Sequence, residues 1–355
     1  MVLLGFNNAE QAALTAVLKA APATLGIENA LLAQTSTAGL KAVYDQLLPN
    51  QGQGLFDALD KAAQAVSSLT GTTPDAGTRV AGSSLWLQEV NERVRRTGIQ
   101  TQGSYSKLLG VIGGYERLGP AGGAAGITLA YYNVEEAENA QQVGGNTVAS
   151  LIEAGAYYRR AAGGLTFSVR GAGGYSFFSG ERRLIAGGVT EKATSSWNGY
   201  FFDGHTGLAY EQRFGRFYAR PEISADYLRL HENSHGETGG DAGFDLNVAG
   251  RSSTRLSGEA IVSLGTQWGK AQWLRSEIRG GYREVFSGNI GDTVANFAGG
   301  AAFSLAPDSD SGGWATVGVS LKGGSQFSYL ALEGDADFRS GEQRYDIRLA
   351  GRSIF

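Results

Sequence analysis

The feature that most constrains this chain is a two-residue alternation of apolar and polar side chains that starts near Ser84 and is still running at Phe355. In the last segment Tyr345, Ile347, Leu349 and Phe355 share one parity, while Asp346, Arg348 and Arg352 share the other. Leu165, Phe167, Val169, Tyr175 and Phe177 oppose Thr166, Ser168, Arg170 and Ser176 in the same way, and Leu274, Ile278, Tyr282 and Phe286 oppose Arg275, Glu277, Arg279 and Arg283. Successive residues of a strand point to opposite faces, so each segment has one apolar and one polar side. A soluble sheet with one wet face would alternate likewise. The return of the pattern over about 270 residues predicts a closed barrel instead.

Twelve such segments can be counted, at 84–95, 104–117, 122–135, 147–161, 164–178, 197–213, 216–231, 253–268, 271–287, 313–324, 326–339 and 343–355. Bacterial outer-membrane barrels require an even number. A thirteenth candidate, 294–305, would break that parity and is therefore read as part of an outer loop or hairpin extension. Connections at 161–164, 214–216, 269–270 and 324–325 are tight, whereas 135–146, 180–196 and 232–250 are long and polar. Tight turns at one rim and long loops at the other fit an outer-membrane barrel. Aromatic residues near strand ends (Tyr175, Phe177, Phe178, Tyr200, Phe201, Phe202, Trp268, Trp273, Phe327, Tyr329) suit an interfacial girdle. A water-soluble barrel would turn its apolar side inward. The girdle and the dense charge on one parity favour the membrane version, with a lumen lined by Arg170, Arg220, Glu222, Asp226, Glu259, Arg275, Glu277, Arg279, Glu333 and Asp335. A lining of both signs can pair internally and gives no strong ion selectivity.

No apolar run reaches the 18 or more residues of a membrane helix, so the membrane assignment rests on strands. The formal charge of −4 implies no nucleic-acid partner, and a chain without cysteine has neither disulfides nor thiolate chemistry. Residues 1–25 lack the pattern of a signal peptide, which places an export signal upstream. Asn7 and Glu10 can form a capping box for a first helix carrying Leu14, Val17, Leu18 and Ala21 until Pro22. A second helix is expected over 27–48, anchored by Leu31, Leu32, Val43, Tyr44, Leu47 and Leu48 and stopped by Pro49. A third, 54–70, sets Leu55, Leu59, Ala62, Ala63, Val66 and Leu69 on one face and Asp57, Asp60, Lys61, Gln64 and Ser67 around the rest. It would be roughly 25 Å long. Twelve tilted strands enclose a lumen about 12 to 14 Å wide, enough for one helix. The third helix is therefore expected inside, with Leu55, Phe56, Leu59, Asp60, Ala63 and Val66 meeting the wall.

LFDALDKAAQAVSS before the strands, LWLQ at 85–88, LGVIGGYERLGPAGGAAGITLAYY across the second hairpin, RPEISADY in the seventh strand and the closing RYDIRLAGRSIF occur in the order found in one family. Over about residues 40–355 the chain resembles the C-terminal translocator domain of type V autotransporters. The resemblance implies a monomeric Gram-negative outer-membrane barrel in contact with lipid, with no enzymatic role and no cofactor. A passenger covalently linked upstream would reach the cell surface through or with it. The barrel assembly machinery would read the last strand, at Tyr345, Ile347, Leu349 and Phe355. On this reading 1–50 is the helical end of a passenger, 51–78 a pore-spanning linker helix and 79–355 the translocator. Two departures stand out. Gly351 and Ser353 occupy outward positions where the family's terminal signal is bulky, and the upstream segment is helical, not a β-helix.

A porin-like diffusion channel is the alternative, and an outer-membrane enzyme or adhesin would need its active part upstream or in the long loops. His231, Glu232 and His235 superficially match a zinc motif but sit at a strand end, not on a helix. Asn7–Asn8 matches the dipeptide at which some autotransporters cut themselves, though far from the first strand; a helix cap explains it.

Overall fold

The alternating segments pair edge to edge because an unpaired strand edge would leave backbone N–H and C=O groups unsatisfied in a membrane. A computed structural model describes residues 5–23, 25–72, 82–98, 103–119, 123–138, 145–241, 243–269, 274–325 and 327–355. Twelve antiparallel strands close into a barrel: β1 Gly82–Arg96, β2 Ser104–Leu118, β3 Ala124–Glu138, β4 Asn146–Ala162, β5 Leu165–Ala186, β6 Val189–Tyr210, β7 Phe217–Glu232, β8 Arg251–Trp268, β9 Leu274–Asn289, β10 Gly312–Gly324, β11 Ser328–Arg339 and β12 Glu342–Ile354. Each strand pairs with its sequence neighbours, and β12 closes on β1 with Glu89 opposite Leu349. Ser83 and Phe355 exchange two backbone hydrogen bonds at the seam (2.8 and 2.9 Å).

The apolar parity faces outward. Leu87, Leu129, Ile278, Leu330 and Ile347 are exposed, while Arg159, Arg255 and Arg344 are among the most buried side chains. Tyr345, Leu349 and Phe355 are exposed as well. Three members of the expected girdle point the other way. Phe178 and Phe201 are buried in the interior and Tyr329 packs against the same core, because they sit on the inward parity of β5, β6 and β11. Trp273 lies outside the described residues, as do the predicted strand starts at 122, 271 and 326.

The long-loop rim departs from expectation in a useful way. The supposed loop 180–196 is a continuation of β5 and β6 to a two-residue turn at Gly187 and Gly188, both with positive φ (58° and 82°), as a tight hairpin matching strand twist requires. Within 232–250 and 290–305, His235–Gly236, Leu246–Val248, Thr293–Phe297 and Phe303–Leu305 form a separate four-stranded sheet. The run 294–305 thus belongs to the outer loops. On the same rim, β11 and β12 are joined by only residues 340–341, and 139–144 of the loop 135–146 lie outside the described residues.

Among the described residues, four α-helices precede the barrel: α1 Asn8–Ala20, α2 Leu25–Leu32, α3 Thr37–Asp45 and α4 Gln53–Gly71. The capping box at Asn7 and Glu10 forms, and Pro22 falls in a 3-10 turn, Ala21–Ala23, that ends α1. The helix expected over 27–48 is broken in two. Ser36 takes up extended backbone and its Oγ accepts from Gly39 N (3.0 Å), so it starts α3 rather than continuing α2. Leu18 and Leu32, expected as anchors, are 59% and 75% exposed, while Val17, Val43, Tyr44, Leu47 and Leu48 are buried.

Candidate functional site: the lumen and α4

Helix α4 is amphipathic, yet nearly every residue on it is buried. It packs against β1 to β7 and reaches β8, β11 and β12 through ion pairs, so strands surround it. Leu55, Phe56, Leu59, Asp60, Ala63 and Val66 are all buried. The wall they meet is not uniformly charged. Trp86, Val90 and Val94 of β1, Leu108 and Ile112 of β2, and Tyr132 and Val134 of β3 form one core with Leu55, Leu59 and Val66. The lumen therefore has a more apolar half, β1 to β4, although Glu92, Arg96, Glu116, Glu136 and Arg159 also lie there, and a charged half, β7 to β12, and α4 turns its apolar face to the first. Burying apolar surface at about 25 cal/mol per Å² makes that half the main attraction.

Charged side chains of β1, β8, β11 and β12 fix the register. Asp57 accepts from Arg96 (2.8 Å), Arg255 (2.6 Å) and Arg344 (2.9 Å), and Asp60 accepts from Arg255 (2.8 Å) and Arg344 (3.2 Å). Asp310, from the connection before β10, pairs with Arg255 from the other side (2.5 Å). One turn on, Lys61 pairs with Asp337 (2.7 Å) and Asp346 (3.2 Å). The guanidinium groups of Arg339 and Arg344 lie over the Trp314 indole at 4.0 and 4.1 Å from its centroid, which helps hold like charges together.

The barrel also supplies the caps the helix lacks. Gly52, in left-handed backbone at φ 61°, leaves the N-terminus without a side-chain cap. That backbone favours glycine, and a Cβ there would also fall 2.1 Å from Arg251 Nη2 and displace the end of that side chain. Gly54 N instead donates to Glu136 (2.7 Å) and Gln51 N to Glu138 (2.7 Å). At the other end Arg159 donates to the Thr70 carbonyl (2.6 Å). Carboxylates at the N-terminus and a cation at the C-terminus complement the helix dipole. Arg159 is held by Glu116 (3.4 Å), which also takes bonds from Arg352 (2.6 Å) and from Tyr157 (2.7 Å), itself bonded to Trp86 Nε1 (3.0 Å).

The lumen residues expected from the sequence all lie on the inward parity, and most pair with one another. Arg170 bridges Glu153 and Asp203; Arg220 pairs with Glu277 (3.2 Å) and, more distantly, Glu222 (4.0 Å). Arg283 joins Asp226 (2.7 Å) to Glu259 (2.9 Å), and Arg275 binds Glu211 (2.7 Å). Arg279 and Arg348 share Asp335 and Glu333. A polar crevice lined by Lys61, Gln64, His205, Arg220, Asp226 and Arg279 remains beside the helix. The residues that grip α4, Arg96, Arg255, Arg344 and Glu136, and those that back them or the chain just before the helix, Asp310, Trp314 and Glu138, were not singled out in the sequence. Parity alone could have placed Arg255 with Ser257 and Arg344 with Asp346. His231 and His235 are engaged by rings: His231 lies 4.9 Å from Tyr200 and His235 stacks 4.0 Å from Trp197.

A family model, the autotransporter β-domain, matches residues 85–336. The chain belongs to this family. As an autotransporter β-domain it has an outer-membrane location and a linked passenger, in a family of non-enzymatic transporters. Its barrel is similar to the translocator domain of the autotransporter NalP from Neisseria meningitidis, at 13% identity and a TM-score of 0.67, covering 85% of this chain and 96% of that one. It is also similar to the transport unit of AIDA-I from Escherichia coli (12% identity, TM-score 0.56, 84% and 98% covered) and the β-domain of the Bordetella autotransporter BrkA (13%, 0.53, 77% and 100%). At such identities the likeness is one of fold. No curated protein matches the chain.

Proposed function

We propose that this autotransporter β-domain anchors a passenger in the outer membrane and displays it at the cell surface, with α4 filling the pore as a linker helix. The observation that carries the reading is the match between an amphipathic helix and an equally two-sided lumen, down to carboxylates at its N-terminus and Arg159 at its C-terminus. The helix N-terminus lies at the long-loop rim, where β3 ends at Glu138, and its C-terminus lies where β5 begins near Ser168. A chain leading upstream from α4 therefore leaves at the long-loop side. In this reading residues 1–50 are the passenger's last helices, 51–78 the linker and 79–355 the translocator, acting as a monomer. Tyr345, Ile347, Leu349 and Phe355 form the outward row that the barrel assembly machinery engages.

Single-channel conductance in a planar bilayer tests this, comparing the intact chain with one beginning at Arg79. Low conductance that rises to a large, stable level on truncation is the expected result. Equally large conductance in both would evict α4 from the pore and favour a diffusion channel.

A further inference from the structure

Outside the lumen lies a second apolar core that transport through the barrel does not require. It joins α1, α2 and α3 to the outer loops: Val17, Ile27 and Tyr44 pack with Leu184 on the extended hairpin and with Phe244 and Phe303 on the four-stranded sheet. Among the described residues, the strand pairing that ties that sheet to the barrel is a bridge between Thr194 and Thr238. Without the helices, its aromatic and aliphatic face would be an exposed apolar patch of the kind that marks an interaction site. Polar contacts fix the helices on it. Arg182 stacks over Phe244 (3.9 Å), pairs with Glu237 (2.5 Å) and donates to the Leu47 carbonyl (3.2 Å); Ile185 N donates to the Gln46 side chain (2.8 Å). The helices also hold each other, through Lys41 between Glu10 and Asp45, Tyr44 Oη to the Glu10 carbonyl (2.5 Å) and the Phe6–Tyr44 ring stack (4.8 Å).

We propose that the outer-loop sheet and the β5–β6 hairpin form a docking platform whose occupant is residues 6–48 of the same chain, held by noncovalent contact independently of the covalent link through α4. A chain severed between α2 and α3 then keeps α1 and α2 on the barrel. The inference does not depend on whether α4 closes the pore, and the conductance of the severed protein reports that question separately.

The link is accessible, since Thr35 and Ser36 are exposed. A site-specific protease sequence inserted there, in the full chain in detergent micelles, allows cutting followed by gel filtration. The N-terminal fragment is expected to elute with the barrel, and Phe303→Asp, which places an unpaired charge in the shared core, is expected to speed its release by about tenfold or more. A fragment that separates at once from the unsubstituted cut protein overturns the proposal. Should Phe303→Asp fail to fold, hydrogen exchange on the uncut chain serves instead: amides of residues 11–20 should lose protection in Arg182→Ala, and unchanged protection counts against the platform. Light scattering of the uncut chain should give a monomer, whereas a dimer that exchanges its helices would assign the platform to a second copy and overturn the intrachain assignment.

Discussion

Replacing Asp57 with alanine removes the carboxylate shared by Arg96, Arg255 and Arg344 and leaves three buried guanidinium groups with Asp60, Asp308, Asp310 and Glu342 as remaining partners. Removing one member of a buried ion pair costs about 3–5 kcal/mol. The surviving acids put this case at the lower end, about 3 kcal/mol, or roughly a hundredfold in the ratio of seated to unseated helix. The absence of cysteine makes the measurement clean, because Ser67→Cys introduces the sole thiol, at a buried position on α4. When reclosing is faster than reaction, labelling by a membrane-impermeant maleimide follows the population of the unseated state. Asp57→Ala should therefore speed labelling of that thiol about a hundredfold, while the barrel keeps its folded mobility on unheated gels. A rate within about threefold of the parent would sink the claim that these ion pairs seat the helix, since context effects alone reach that size. Faster labelling with loss of folded mobility would show that the clamp serves the strands and not α4.

The other expectations concern the wall, the surface and the cap. In Gly114→Ala a Cβ would fall 2.2 Å from the Trp86 ring, so the indole must shift and its bond to Tyr157 breaks; urea titration should show about 1–3 kcal/mol of lost barrel stability. Gly54→Ala places a Cβ 2.5 Å from Ser106 Oγ and 2.6 Å from Glu136 Oε1, and should raise thiol labelling in the same assay despite alanine's better helix propensity. Ile347→Arg, on the lipid-facing row, should destabilise the folded barrel in bilayers by about 2–4 kcal/mol, with little effect expected if that row faced water. Burial pushes the Asp45 carboxyl up to about 7 against the pull of Lys41, with Glu10 adding to the rise. The folded state then holds a proton that the unfolded state has released, so the seating of α3 is firmest in acid and weakens as pH rises through about 7. Proteolysis at Thr35–Ser36 should be slower at pH 5 than at pH 8, and Asp45→Asn should flatten the difference.

How much of this was legible in the sequence depended on whether a feature was local. Strand parity read the wet and dry faces of β9 and most of β5 correctly because the side opposite the large apolar residues is small or polar on β5, Phe178 apart, and mostly charged on β9, and the amphipathicity of 54–70 marked α4 as a helix needing a two-sided environment. The apolar half of the lumen escaped because Trp86, Val90 and Val94 on β1 alternate with Leu85 and Leu87, so both parities carry large apolar residues. The extension of β5 and β6 escaped for the opposite reason: beyond the bilayer, Thr190, Lys192 and Thr194 alternate with other residues that no longer need to be apolar. The break between α2 and α3 was visible in Ser36, an N-cap residue inside a supposedly continuous helix, but was outweighed by the apolar spacing. Contacts such as Asp57 to Arg344, 287 residues apart, have no local trace.

The direction of α4 also follows from those distant contacts. Leu55, Leu59 and Val66 would face the apolar half of the lumen almost as well if the helix ran the other way, because a stripe of aliphatic residues carries little polarity. The ends would not. Reversal would bring the carbonyl end of the helix against Glu136 and Glu138 and its amide end against Arg159, turning two favourable dipole contacts into repulsive ones, each worth up to about 1–2 kcal/mol in a partly buried setting. It would also move Asp57 and Asp60 away from Arg96, Arg255 and Arg344, which cluster toward the long-loop rim. Apolar burial thus holds the helix in the lumen, while the barrel's fixed charges decide which end faces the long loops.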